Sequence, residues 1–116
     1  MKVLIGTENV EITFENHTLK AKILGDIDHH SAKSVRENID NFMFLKKPSL
    51  VVLDLSHVDF MDSSGLGLIL GRYTNAKEIG SDFIIFKPSR NVKKILNLAG
   101  IDRIMQIKGD NENETI

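Results

Sequence analysis

Residues 50–79 read LVVLDLSHVDFMDSSGLGLILGRYTNAKEI and decide how the rest of the chain is arranged. The run from Leu50 to Leu55 is almost wholly apolar and rich in β-branched residues, which is typical of a strand covered on both faces. After Ser63 the apolar residues recur every three or four positions, which predicts one face of a helix. They are Leu66, Ile69, Leu70, Tyr73 and Ala76. The stretch therefore predicts a strand, a polar loop and a helix.

The predicted helix begins at Asp62, Ser63 and Ser64. The first backbone N–H groups of a helix lack partners within it, so Asp or Ser at this position can accept from them. The same N–H groups and the helix dipole favour an anion such as a phosphate. A serine here is therefore either a helix cap, which is the commoner role, or a phosphate acceptor.

Three glycines lie inside the helical pattern, at Gly65, Gly67 and Gly71. Each costs about 1 kcal/mol relative to alanine in a helix. Their presence together indicates a backbone that lies close to something, either the sheet beneath it or a partner protein at the helix start.

The flanking segments complete an α/β pattern. Alternating apolar residues over 10–14 and 19–23, with turn residues between them, predict a β-hairpin. We expect helices after Asp28, as far as Pro48, and after Ser89, as far as Gly100, and strands over 83–86 and 104–107. Strand–helix–strand units require parallel pairing. The chain should therefore form a mixed β-sheet with helices mainly on one face. The residues expected to be buried are Val51, Leu53, Leu66, Ile69, Leu70, Ile84 and Ile95.

The 116 residues suit a single domain, which we place at residues 1–108. Within it, residues 1–8 are expected to be an N-terminal extension, and residues 109–116 should form a disordered acidic tail. A formal net charge of −1 with scattered basic residues argues against nucleic acid as a partner. The absence of cysteine excludes disulfides and thiolate metal sites. Neither a membrane-length apolar run nor a signal-peptide pattern is present, which predicts a soluble cytoplasmic protein that does not bind membranes.

Two patterns suggest other chemistry and are rejected. Asp54 and Lys87 resemble positions of a response-regulator receiver domain, but a receiver needs an acidic pair after its first strand and about two helices between these positions. The adjacent His29 and His30 would point about 100° apart on a helix, which is unsuitable for a shared metal ion. No catalytic triad or lysine-bearing phosphate loop can be identified. We therefore expect no enzymatic activity, catalytic residue, metal or cofactor.

Two motifs resemble the anti-sigma-factor antagonists of the STAS family. One is Asp28-His29-His30 after a glycine-ended strand, and the other is FMDSSGLGLILGRY at residues 60–73. The resemblance extends from Asn9 to about Ile107 and is closest to the subgroup that acts in the sporulation switch of endospore-forming bacteria. The fold implied is STAS-like. On this resemblance we expect the C-terminal helix of typical members to be shortened or lost in the polar tail.

The resemblance implies a phosphorylation-controlled binding protein that works by partner switching. The unphosphorylated form would bind an anti-sigma factor that is also a serine kinase, and so free the sigma factor. That kinase would use ATP to phosphorylate Ser63 and end the binding, and a metal-dependent protein serine phosphatase would restore it. Ser64 should not take the phosphate. The partner-binding residues implied are Asp28, His29, His30, Asp62, Ser63, Ser64, Gly65 and Gly67. Asp26 stands where the subgroup usually has glutamate.

Two alternatives remain open at this stage. One is an antagonist or scaffold of the general stress-response type, with the same chemistry and different partners. The other is a nucleotide-binding STAS domain, because the helix start suits a phosphate.

Overall fold

A computed structural model describes residues 2–109 as one six-stranded sheet with three α-helices. The elements in chain order are β1 (Lys2–Gly6), β2 (Val10–Glu15), β3 (Thr18–Ile23), α1 (His29–Lys46), β4 (Leu50–Asp54), α2 (Ser63–Glu78), β5 (Asp82–Phe86), α3 (Arg90–Leu98) and β6 (Gln106–Lys108), with a 3₁₀ turn at Ile101–Arg103.

The sheet is mixed, and its spatial order is the same as its order in the chain. Strands β1, β2 and β3 pair antiparallel, while β3, β4, β5 and β6 pair parallel. The three helical crossovers all step in the same direction across the sheet, and crossovers of one hand that do so place their helices on the same face. The predicted fold class, with its initial hairpin and one-sided helices, is confirmed.

The core lies between that face and the three helices. Ala21, Leu53 and Ile85 are neighbours in the strand register and expose no surface. The helices supply the opposite wall of a single apolar cluster. Its helical members are Ala32, Val35, Ile39, Met43, Leu68, Ile69, Ala76, Val92 and Leu96.

Strand β4 is also buried on the face that carries no helix. Val52 and Asp54 are each 3% exposed there. Lys20 of β3 contributes to this cover, because its Nζ lies 3.5 Å from Asp54 Oδ2 and 5.1 Å from the centre of the Phe86 ring. Long charged side chains can cover apolar surface in this way while keeping the charge near water. The expectation of a strand covered on both faces is therefore met, with neighbouring side chains replacing a second helical layer.

The expected core is confirmed at Val51, Leu53, Ile69 and Ile84, and it is wrong at Leu70. Leu70 is 39% exposed, whereas Leu66 and Ile95 are half-buried at the margin of the core.

The residues that helix α2 buries against the sheet are only partly the ones expected. Its buried residues are Gly65, Leu68, Ile69, Arg72 and Ala76. Leu70 points about 100° away from Ile69, the residue before it, and so lies outside this stripe.

The chain ends extend the sheet. Residues 1–8 were expected to be an extension, and Lys2–Gly6 within them form edge strand β1 along β2. Apart from Gly109, the expected acidic tail lies outside the described residues. No helix between residues 2 and 109 is long and apolar enough to cross a membrane.

Candidate functional site

Helix α2 begins with a capped but open first turn. Asp62 is the N-cap, and its Oδ1 accepts hydrogen bonds from Ser64 N at 2.8 Å and Gly65 N at 3.4 Å. Ser63, the first residue of the helix, is exposed, and its hydroxyl makes no hydrogen bond to any residue between 2 and 109. Asp62 therefore performs the capping, which leaves Ser63 available at the positive end of the helix dipole.

Of the three helical glycines, only Gly65 is required by a close contact. A Cβ at Gly65 would lie 2.7 Å from Met61 Cβ, closer than side chains pack. The close neighbour is thus the preceding loop, not the sheet. A Cβ at Gly67 or Gly71 would meet no atom within 4 Å. Contacts within the described residues therefore explain why glycine is needed at Gly65, and they do not explain Gly67 or Gly71.

Helix α1 begins with a closed cap. Asp28 Oδ1 accepts from Ser31 N at 2.7 Å, and Ser31 Oγ accepts from Asp28 N at 3.2 Å, which completes a capping box. The backbone N–H and the hydroxyl of Ser31 lower the pKa of Asp28, and the charge of His30 acts in the same direction. Asp28 is exposed and remains ionised at neutral pH.

Asp26 ties together the two loops that lead into these helices. Its Oδ1 accepts from the backbone N–H groups of Asp59 at 2.8 Å and Phe60 at 3.2 Å. Parallel strands β3 and β4 deliver both loops to the same end of the sheet, so Asp28 and Ser63 lie at that end. In the sequence, Asp26 is notable only as a departure from the subgroup. The spacing of residues does not reveal a hydrogen bond between the two loops.

A cleft of about 620 Å³ separates the first halves of α1 and α2. It is lined by His29, His30, Ala32, Lys33 and Arg36 from α1 and by Ser64, Gly67 and Leu68 from α2.

The structure therefore brings together four of the predicted partner-binding residues, His29, His30, Ser64 and Gly67. The other four, Asp28, Asp62, Ser63 and Gly65, do not line the cleft. Gly65 is buried against Met61 and can influence a partner only through the shape of the loop. Lys33 and Arg36 were not predicted.

A buried ion pair holds the two walls of this cleft in place. Arg72 Nε of α2 lies 2.8 Å from Asp40 Oδ1 of α1, out of line for a good hydrogen bond, and Asn75 Nδ2 donates to the same oxygen at 3.1 Å. Burial lowers the pKa of Arg72, and the negative charge of Asp40 offsets part of that effect. No local sequence pattern indicates this contact, because it joins residues far apart in the chain.

The described part of the chain contains no group of three or more His, Cys, Asp or Glu side chains that could hold a metal ion. The chemistry available at this end of the molecule is an accessible serine, exposed carboxylates on two loops and a basic cleft.

Comparisons with known proteins agree on one family. A family model described as STAS domain matches residues 9–113. The chain is 36% identical over 106 residues to an anti-sigma F factor antagonist of Paenibacillus polymyxa, covering 90% of each chain. It is 28% identical over 86 residues to an anti-sigma-B factor antagonist of Listeria monocytogenes, covering 74% of this chain and 75% of that protein. The solved structure of the anti-sigma factor antagonist SpoIIAA in its unphosphorylated form matches with a TM-score of 0.74 and 26% identity, covering 84% of this chain and 86% of that one.

Proposed function

Because this chain belongs to the STAS domain family, we propose that it is an anti-sigma factor antagonist whose binding is switched off by phosphorylation of Ser63. The observation that carries the proposal is the exposed hydroxyl of Ser63, free of described partners, at the start of α2. The likeness to an anti-sigma F factor antagonist over 90% of the chain supports the same function.

In this proposal the unphosphorylated protein binds an anti-sigma factor in the cytoplasm and displaces the sigma factor. The anti-sigma factor is also the serine kinase and uses ATP as the phosphate donor, so the antagonist needs neither catalytic residues nor a cofactor. The binding surface is the end of the molecule where Asp26 joins the two loops. Its residues are Asp28, His29, His30, Asp62, Ser63, Ser64, Gly65 and Gly67.

Phosphorylation of Ser63 should change binding strongly and the fold hardly at all. A phosphate adds a charge of about −1.5 to −2, which the N-terminal end of a helix tolerates. In a complex the same group must lose water against the partner and repel any acid that it meets. Ser64 is the poorer acceptor because it is half-buried beside the cleft. A metal-dependent protein serine phosphatase then restores the binding form.

The sporulation type of partner is preferred to the general stress-response type. The likeness to the Paenibacillus anti-sigma F factor antagonist is 36% over 90% of the chain, against 28% over 74% for the Listeria anti-sigma-B factor antagonist. Assays with a kinase of each type distinguish the two.

The test is to incubate the protein with a candidate anti-sigma factor kinase and ATP, and to locate the phosphate by mass spectrometry. Ser63→Ala should bind the kinase and resist release by ATP, whereas Ser63→Asp should bind weakly and melt within a few degrees of the parent protein. Ser64→Ala is the matched control and should be phosphorylated normally. A phosphoprotein that binds as tightly as the parent, or a Ser63→Ala protein modified at Ser64, would refute the proposal.

A further inference from the structure

The cleft between α1 and α2 is cationic on one wall and carries no opposing charge on the other. His29, His30, Lys33 and Arg36 line it from α1, whereas α2 contributes only Ser64, Gly67 and Leu68. No carboxylate is among its lining residues. We call this feature the cationic cleft.

Lys33 and Arg36 supply the positive charge of the cationic cleft, and no carboxylate of the described residues is paired with either of them. The first turn of α1 contains His29 and His30 and no acidic residue, although the helix dipole favours negative charge there. Neither Lys33 nor Arg36 forms an ion pair with a residue between 2 and 109. The charge of Arg36 contributes to the lowered pKa of Arg72, although the charge of Asp40 opposes it more strongly. Lys33 and Arg36 are therefore both available to pair with an anion from outside.

The surroundings of the cleft restrict what that anion can be. Exposed aspartates on the adjoining loops form an acidic rim at the same end of the molecule: Asp26, Asp28, Asp59 and Asp62. With a formal net charge of −1 for the whole chain, an extended polyanion such as nucleic acid would be repelled along that rim. A compact acidic element on a protein surface can enter the cleft between the helices without crossing the loops.

We propose that the cationic cleft receives an acidic surface element of the anti-sigma factor, with Lys33 and Arg36 pairing with its carboxylates. This inference rests on the proposed function and names the chemistry of the partner. Charge complementarity of this kind directs association and selects among partners.

The cationic cleft also offers a physical reason why phosphorylation of Ser63 would end binding. Ser64 lines the cleft and Ser63 directly precedes it at the start of α2. A phosphoryl group on Ser63 would place a charge of about −1.5 to −2 beside the cleft, where it neutralises the cations and repels the acidic element. Phosphorylation would thus turn an attraction between the two proteins into a repulsion.

The experiment measures the affinity of the unphosphorylated protein for the ADP-loaded anti-sigma factor at several salt concentrations. Lys33→Glu and Arg36→Glu should each weaken binding at least tenfold and flatten its dependence on salt, whereas Lys33→Arg should bind like the parent. Lys94→Glu makes the same charge change on an exposed residue of α3, outside the cleft, and should stay within twofold. Melting temperatures verify that each variant is folded, and Lys33→Gln replaces any charge reversal that is not.

The outcomes separate this inference from the function on which it rests. If Lys33→Glu binds like the parent and Ser63 is still phosphorylated, the acidic element is refuted and the switch stands. If the anti-sigma factor does not bind the parent protein at all, the proposed function itself fails. If Lys33→Glu and Arg36→Glu lose affinity for the ADP-loaded partner but not for the nucleotide-free partner, the anion belongs to the nucleotide phosphates and the inference is overturned.

Discussion

Helices α1 and α2 begin alike and finish their first turns differently. Each starts with an exposed aspartate whose Oδ1 accepts backbone hydrogen bonds, Asp28 in α1 and Asp62 in α2. Three positions later α1 has Ser31, whose Oγ accepts a hydrogen bond from the backbone N–H of Asp28, while α2 has Gly65, which has no side chain to accept one. The start of α1 is closed by a reciprocal pair, and the start of α2 is left open.

The difference follows from the packing of one loop. Met61 is 4% exposed and fills the space in which a side chain at Gly65 would lie. The contact that buries Met61 therefore also prevents a capping box in α2. The first residues of the two helices, His29 and Ser63, are nevertheless both exposed, which teaches that the accessibility of Ser63 depends on its position and does not require a loose helix end.

The comparison depends first on the ion pair that holds the two helices side by side. Asp40→Ala would leave Arg72 buried without its partner and should lower the free energy of unfolding by about 2 to 3 kcal/mol. Asp40→Asn keeps an acceptor for Arg72 and should lose less. Chemical denaturation measures both, and equal stability of Asp40→Ala and the parent would show that the pair does not join the helices.

Two of the three glycines of α2 test the role assigned to Met61. Gly65→Ala brings a Cβ to 2.7 Å from Met61 Cβ and should destabilise the domain by about 1 to 2 kcal/mol, even after the gain in helix propensity. Gly67→Ala enters open space in the same helix and should stabilise it by about 0.5 to 1 kcal/mol. Thermal unfolding of the pair gives the answer. If both variants shift the melting temperature in the same direction, helix propensity and not the contact with Met61 determines the effect of Gly65→Ala.

The open cap itself can be broken at Asp62. Asp62→Ala removes the acceptor for Ser64 N and Gly65 N and should cost about 1 kcal/mol, whereas Asp62→Asn should retain most of the cap. Denaturation curves for the two variants measure the difference. A large loss in Asp62→Asn would point to the charge of Asp62 instead of its hydrogen bonds.

The closed cap gives the smallest effect, which is visible in the titration of Asp28. Hydrogen bonds from Ser31 hold the pKa of Asp28 below the ordinary value of 3.8. The folded pKa is the lower one, so the stabilising contribution is present above pH 3.8 and is lost as the pH falls through the folded pKa. NMR titration of the side chain should show this, and Ser31→Ala should move the pKa back toward 3.8. If the pKa of Asp28 is unchanged in Ser31→Ala, the capping box is not the cause of the lowered pKa.

The sequence predicted what local patterns determine. Alternation gave β2 and β3, three-and-four spacing gave the helices, and the residue types at Asp28 and Asp62 indicated the caps that the structure shows. The exposure of Leu70 was missed because apolar spacing places a helix face only to within about one residue.

Contacts between distant segments were not predictable in this way. The burial of Arg72 depends on Asp40 in another helix. The loop contact of Asp26 depends on two backbone N–H groups in the neighbouring loop. The cationic cleft likewise forms only when α1 and α2 pack together, so Lys33 and Arg36 looked like ordinary surface residues in the sequence.

The chain-order arrangement of the sheet has a consequence for how the protein folds. Each strand from β2 to β6 pairs with the strand that precedes it in the sequence, so no pairing has to wait for a later segment. Each pairing therefore closes a loop no longer than one turn or one helical crossover, which limits the loop-closure entropy that it costs. During synthesis each new strand can add to an edge that is already formed, with its connecting helix covering the same face. Within residues 2–109 the last strand to add is β6, only three residues long, and so short an edge offers little template for pairing with another chain.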